Sequence, residues 1–209
     1  NSATRFTPAS RRTAAEWRTR LHGWRSRYDA QAAMDLAITL DARPVAGNAA
    51  LFAPLDAQMQ ALGGDERLLH AMAAAVLQFE AQLSFFGQLR QGERGLELKR
   101  GGIFPIVHGL RCLALKHGIA QRNSFARCEA LMQAGALDAT LGRDLAQTLA
   151  VLQRLRLDAQ LATLDAGGVP DNLVQPASLR RLDRELLRDA LRVVKAFQQH
   201  VRGVFHLGD

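Results

Sequence analysis

Cysteine, aromatic residues and β-branched residues are all scarce in this 209-residue chain. The two cysteines, Cys112 and Cys128, are too few for a disulfide framework. Both fall in apolar helical patterns and are expected as reduced core thiols. No Cys-x-x-Cys pair or Cys/His cluster suggests a zinc site. Aromatics make up only 6% of the residues, while Leu, Ala and Arg dominate, and this balance favours helices over sheets. No apolar run approaches a membrane span, and no apolar core of a signal peptide stands near the N-terminus, so a cytoplasmic protein with no membrane partner is expected. The chain begins with Asn1 rather than Met and is expected to be a piece of something longer.

What is abundant is apolar surface and positive charge. Apolar residues reach 48%, enough for a substantial core in one large domain or two small ones. Formal net charge is +7, which admits nucleic acid or an acidic ligand without choosing between them. The charge is uneven. Arg90, Arg94, Lys99, Arg100, Arg111, Lys116, Arg122 and Arg127 stand against Glu93 and Glu97, and the first thirty residues hold seven Arg against Glu16 and Asp29. No recognition-helix or base-stacking signature accompanies this charge, so nucleic acid is not the expected partner.

Apolar periodicity divides the chain. Trp17, Leu21 and Trp24 predict a helix over 13–28. Residues 34–41 alternate apolar and polar side chains and predict the one strand. Arg43-Pro44 through Asn48 is a turn, and 49–62 a helix stopped by Gly63-Gly64. Asp65 caps a helix expected to reach Phe86 through Leu69, Met72, Val76, Phe79 and Leu83. A loop covers 87–97. Ile103, Ile106, Val107, Leu110, Leu113 and Ala114 mark the next helix, ended by His117-Gly118. Asn123 or Ser124 caps a helix to Gly135, and Asp138 opens a long one towards Leu164. After Pro176, Ser178 is expected to cap the last helix, with Leu179, Leu182, Leu186, Ala190, Val193, Phe197, Val201 and Phe205 facing inward. Long helices and short loops make the fold class mainly α, an up-and-down bundle over 63–209 behind a short strand-containing unit over 1–62.

The segment Leu98-Lys99-Arg100-Gly101-Gly102-Ile103 reads as a basic, glycine-rich turn opening a helix. Unpaired N–H groups and a positive dipole end would there combine with Lys99 and Arg100 to attract an anion such as phosphate. Arg111 follows near the apolar stripe, where a buried guanidinium needs a partner, either a structural ion pair or a ligand. For Lys99 the structural alternative is an ion pair with Glu97 or Asp138. Asn123 and Arg127 lie on the same basic edge, as caps or surface contacts in the plainer reading. His108 and His117 have no catalytic partner near them in sequence.

Two stretches together carry a resemblance. Leu40-Asp41-Ala42-Arg43-Pro44-Val45-Ala46-Gly47 and Leu98-Lys99-Arg100-Gly101-Gly102-Ile103, continued by Arg111, by Ala114-Leu115-Lys116-His117-Gly118-Ile119 and by Asn123, resemble the nucleotidyltransferases of bacterial signal-transduction proteins, relatives of the PII uridylyltransferases. Leu155-Arg156-Leu157-Asp158-x-Gln160 and the region of Gln198 also fit. The resemblance covers most of the chain and rests on the order and spacing of motifs rather than on any one. It implies that 1–62 is the end of a catalytic domain and 63–209 a helical substrate-binding domain, with an upstream catalytic domain as partner and a nucleotide or protein as acceptor. It further implies Lys99, Arg100, Gly101, Gly102, Arg111, Asn123 and Arg127 as substrate-binding residues, with Asp41 as a remnant third carboxylate. Nucleotidyl transfer needs a Gly-Ser loop for the nucleotide phosphates and an Asp-x-Asp pair for Mg²⁺, and neither motif occurs in this sequence. The nearest carboxylate pair, Asp183 and Glu185, lies on a predicted amphipathic helix. This chain alone is therefore expected to be inactive and to hold no metal or cofactor, while Mg²⁺ and a nucleoside triphosphate are implied for the full-length enzyme. A basic nucleic-acid-binding module, or an interaction module acting through a homodimer, is the alternative.

Overall fold

The computed structural model describes residues 12–27, 29–79, 89 and 95–208. The chain divides into two compact units, Asn1–Met72 and Ala73–Asp209. Both are helical, and the only sheet among the described residues is a pair of two-residue strands.

In the first unit, α1 (Ala14–Arg27) opens with a reciprocal cap. The Thr13 hydroxyl accepts from the Glu16 N–H at 3.2 Å, and a Glu16 carboxylate oxygen accepts from the Thr13 N–H at 2.6 Å. The Thr13 N–H and the Thr13 hydroxyl, which both donate to that carboxylate, hold the Glu16 carboxyl below its ordinary range. Residues 34–41, expected as a strand, lie in and just beyond α2 (Ala30–Thr39). The apparent alternation is overruled by a helical stripe: Ala32, Ala33, Leu36, Ala37 and Leu40 are all buried, whereas β-branched Ile38 points outward. Asp29 caps α2, its carboxylate accepting from the Ala32 N–H at 2.7 Å. The stretch 49–62 is a short 3₁₀ turn followed by α3 (Ala53–Ala61), which carries Pro54 in its first turn. Asp65 does cap α4 (Glu66–Leu77), accepting from the Leu68 N–H, and also receives Arg25 Nε at 2.9 Å. The helix ends at Leu77 rather than Phe86, and the expected positions Leu83 and Phe86 lie outside the described residues, as do most of those in the loop over 87–97.

The second unit is a bundle built around α5 (Phe104–Lys116), in which Pro105, Ile106, His108, Gly109, Leu110, Cys112, Leu113, Ala114 and Leu115 are all buried. Two helices pack against it, α6 (Ser124–Gln133) and α8 (Arg181–Val204), and α7 (Ala139–Asp165) packs on both of these and on the turn that precedes α5. Strands β1 (Leu96–Glu97) and β2 (Leu173–Val174) pair antiparallel, Leu96 opposite Val174 and Glu97 opposite Leu173. This pairing and the bond from Leu98 N–H to the Asn172 carbonyl fix where the chain enters α5. Gly118 and Gly135 end α5 and α6 at φ of +65° and +68°, values a side chain would strain. Asn123 and Asp138 cap α6 and α7 as expected. Gln198 is buried on α8 and donates to the carbonyls of Val76 at 2.8 Å and Phe79 at 2.9 Å.

Two expectations about α8 are corrected. Ser178 does not cap it. Its hydroxyl donates to the Gln175 carbonyl within a separate 3₁₀ turn, and α8 starts at Arg181 without a side-chain cap. The buried face carries Leu187, Ala190, Leu191, Val194, Phe197, Gln198 and Val201, while Leu182 and Leu186 are exposed. The inward face is thus turned by about one residue from the expected one.

Candidate functional site

The basic Gly-Gly segment is not a turn. Leu98 is already helical, and Lys99–Ile103 form a single π-helical turn that runs directly into α5. Such turns hold one residue more than an α turn and recur at functional sites. Gly101 and Gly102 are buried, and a Cβ on Gly102 would stand 2.9 Å from Leu152 Cδ1, so glycine lets α7 press against the π turn. Lys99 and Arg100 project to solvent from this base. Arg100, not Lys99, pairs with Glu97 at 3.3 Å, and its guanidinium lies 5.8 Å from the centre of the Phe79 ring. Asp138, the other partner considered for Lys99, caps α7.

A second polar cluster lies further along α5. Arg111 Nη1 stands 3.0 Å from His108 Nδ1. Arginine can only donate, so Nδ1 accepts and the imidazole proton sits on Nε2. That nitrogen faces Cys112 Sγ at 3.9 Å. Arg127 of α6 is 4% exposed, and its positive charge, like that of Arg111, acts on the Cys112 thiol. Burial outweighs both arginines and pushes this thiol up to about 12, and burial pushes Cys128 up to about 11. Both are free, buried thiols, protonated at neutral pH and poor nucleophiles.

Aromatic rings join the two clusters. Phe79 meets Phe104 edge to face with centroids 5.5 Å apart, and Phe104 stacks on His108 at 5.1 Å and 15°. A continuous ladder therefore runs from Arg100 through Phe79, Phe104 and His108 to Arg111. Phe79, Phe104 and His108 carried no functional signal in the sequence, because the ladder assembles residues from separate segments.

Of the residues singled out in sequence, Lys99, Arg100, Gly101 and Gly102 form one group, and Arg111 and Arg127 another. Lys99 and Arg111, one from each group, lie more than three turns apart along the chain, about 18 Å at 1.5 Å per residue. Asn123 is a cap: its side-chain oxygen accepts from the N–H groups of Phe125 at 2.9 Å and Ala126 at 3.2 Å. Asp41 stands half-buried beyond the end of α2 in the first unit. Asp183 and Glu185 are each engaged by arginine, Asp183 by Arg154 at 2.7 Å and Glu185 by Arg181 at 3.1 Å. Among the described residues no three His, Cys, Asp or Glu side chains gather where they could hold a metal ion. No described helix is long and apolar enough to cross a membrane.

Comparison with curated proteins and with solved structures gave no match in either case. A family profile described as "putative nucleotidyltransferase substrate binding domain" matches residues 66–205, the span that holds the π turn, the aromatic ladder and the whole four-helix bundle. The chain belongs to that family of nucleotidyltransferase substrate-binding domains.

Proposed function

We propose that the exposed basic edge of the π turn, Lys99 and Arg100, receives the anionic part of a nucleotidyl-transfer substrate, either a nucleotide phosphate or an acidic group of the acceptor. The observation that carries this reading is the placement of two cations on a buried Gly-Gly base at the start of the central helix, inside the family match. The rigid base limits the conformational freedom lost on binding. A separate catalytic domain supplies the chemistry. Mg²⁺ and the nucleoside triphosphate are held there, and Asp41 belongs to the end of that domain. The bundle binds and orients substrate and does not transfer nucleotide alone. A role in bacterial signal transduction, with a protein acceptor of the kind used by uridylyltransferase relatives, agrees with the motif resemblance.

The test is titration of the 209-residue chain with UTP and with inorganic triphosphate. Lys99→Ala should weaken binding about fivefold or more, as expected for a lost charge-assisted bond, at an unchanged melting temperature. Wild-type protein that binds neither probe, or a Lys99→Ala variant that unfolds, would overturn the assignment.

A further inference from the structure

Arg100, one of the two cations on the π turn, is already engaged by Glu97 and the Phe79 ring. A third cation faces the same turn from α7. Leu152, Arg156 and Gln160 follow one another a helical turn apart and share one face of α7. Leu152 meets the π turn, where a Cβ on Gly102 would stand 2.9 Å from its Cδ1. Gln160 Nε2 donates to the Asp171 carbonyl at 2.7 Å. The carbonyl of the next residue, Asn172, accepts from the Leu98 N–H at 3.1 Å. These contacts bracket Arg156 on α7 and Lys99 on the segment opposite, between Leu98 and Gly102. Arg156 is half-buried, with its Nε closed to solvent. Arg20, in the same state, lies over the Trp24 ring at 4.8 Å. Arg156 makes no hydrogen bond, ion pair or ring contact among the described residues, and its two terminal nitrogens are open to solvent. Asn172 is divided in the same way, with Oδ1 buried and unbonded and Nδ2 open. Lys99 is exposed and also has no partner among the described residues. A half-buried guanidinium without a partner is costly to keep, and a ligand that supplies acceptors offsets that cost.

We propose that Arg156 and Asn172 complete the anion site at the π turn, and that the group held there is a phosphate gripped by Lys99, the outer nitrogens of Arg156 and Asn172 Nδ2. This rests on the anion site already proposed at Lys99. Every open polar atom in the set is a donor, so the site suits an acceptor-only ligand. The planar fork of an arginine takes two oxygens of a phosphate at once. A third oxygen is then left for Lys99 and Asn172. A carboxylate has only two oxygens and cannot engage all three side chains as well. The phosphate can come from a nucleotide or from a bare polyphosphate chain.

The test is calorimetric titration of the 209-residue chain with pyrophosphate, citrate, triphosphate and UTP at constant ionic strength. Pyrophosphate should bind about tenfold tighter than citrate, a carboxylate anion of similar charge. Arg156→Met keeps the apolar stem and removes the charge. It should weaken pyrophosphate about tenfold, the scale of a charge-assisted hydrogen bond, at an unchanged or raised melting temperature. Arg156→Lys keeps the charge without the fork and should recover only part of the loss. Asn172→Ala removes no bond of the folded chain and should weaken pyrophosphate about threefold, the scale of one neutral donor. Combined with Lys99→Ala, Arg156→Met should cost less than the product of the two single effects, because both side chains hold one group. UTP binding about tenfold tighter than triphosphate supports a nucleotide source, and equal affinities support recognition of the phosphate chain alone. If Lys99→Ala weakens binding while Arg156→Met and Arg156→Lys bind as wild type does, this inference is overturned and the Lys99 site stands. Weaker binding in Arg156→Met with no effect of Lys99→Ala supports Arg156 and removes Lys99. Citrate binding as tightly as pyrophosphate overturns the choice of phosphate. Wild-type protein that binds none of the phosphates overturns both readings.

Discussion

Gly109 of α5 lies directly beneath the edge of the Phe197 ring of α8. A Cβ placed on Gly109 would stand 2.5 Å from Phe197 Cε1 and 2.9 Å from its Cζ. The glycine is what allows a fully buried aromatic ring to rest on the backbone of the central helix.

Gly109→Ala should therefore destabilise the bundle by roughly 1–3 kcal/mol through overpacking, even though alanine is the better helix former. Gly102→Ala meets the end of the Leu152 side chain rather than a ring. Leucine can change rotamer, so this variant should lose less. Chemical denaturation of both variants checks the order, and a larger loss at Gly102 would contradict it.

Gln198→Leu keeps the bulk of a buried side chain while removing its two donors. The carbonyls of Val76 and Phe79 would each lose a partner. The expected loss is about 1–3 kcal/mol. Hydrogen exchange should show early opening of the end of α4 relative to α5. Unchanged exchange there would mean that water replaces the amide without penalty.

Asn123→Ala separates a cap from a ligand contact. Loss of both accepted N–H bonds should lower stability by about 1 kcal/mol. UTP affinity should stay as it is. A change in affinity at unchanged stability would return Asn123 to the substrate site.

Stability should fall in two steps as the solution is acidified. Burial lowers the His200 imidazole below its ordinary value. For Asp65, burial acts upward, but the bonds from Arg25 and the Leu68 N–H outweigh it and hold the carboxyl low. In both cases the unfolded chain binds protons more readily, so stability rises with pH across the titration. The His200 contribution is present above pH about 6.5 and is lost as pH falls from there towards the folded value, while the Asp65 contribution is lost only as pH falls from about 4. Melting temperatures measured from about pH 7.5 down to about pH 2 should show the first step vanish in His200→Gln and the second shrink in Asp65→Asn, Glu16 and Asp138 being held low as well.

Much of the local structure was legible because it is written in local chemistry. Asp65, Asn123 and Asp138 each stand just before an apolar run, and Gly118 follows one. Residues 34–41 misled because Met34, Leu36, Ile38 and Leu40 fit a period of two, while the stripe through Ala32, Ala33, Leu36, Ala37 and Leu40 fits a helix better. The face of α8 was ambiguous for a similar reason. Leu186 and Leu187 are adjacent, as are Ala190 and Leu191, or Val193 and Val194, so two overlapping stripes compete. Packing against α5 and α7 decides between them. The site was harder to read. The sequence marked Lys99, Arg100 and Arg111 as separate cations but gave no sign that Phe79 and Phe104 stand between them, since that contact joins segments distant along the chain.

The π turn at Lys99–Ile103 has a consequence for direction. Each residue of an α-helix advances the chain by about 100° around its axis. The extra residue in the π turn therefore sets the angular phase between β1 and α5. Removing one residue from the turn would restore α-helical winding and swing Lys99 and Arg100 through about a quarter of a revolution relative to the helix they precede. The compass bearing of the two cations is thus fixed by backbone arithmetic, and the exposed side chains inherit it from glycines that no solvent reaches.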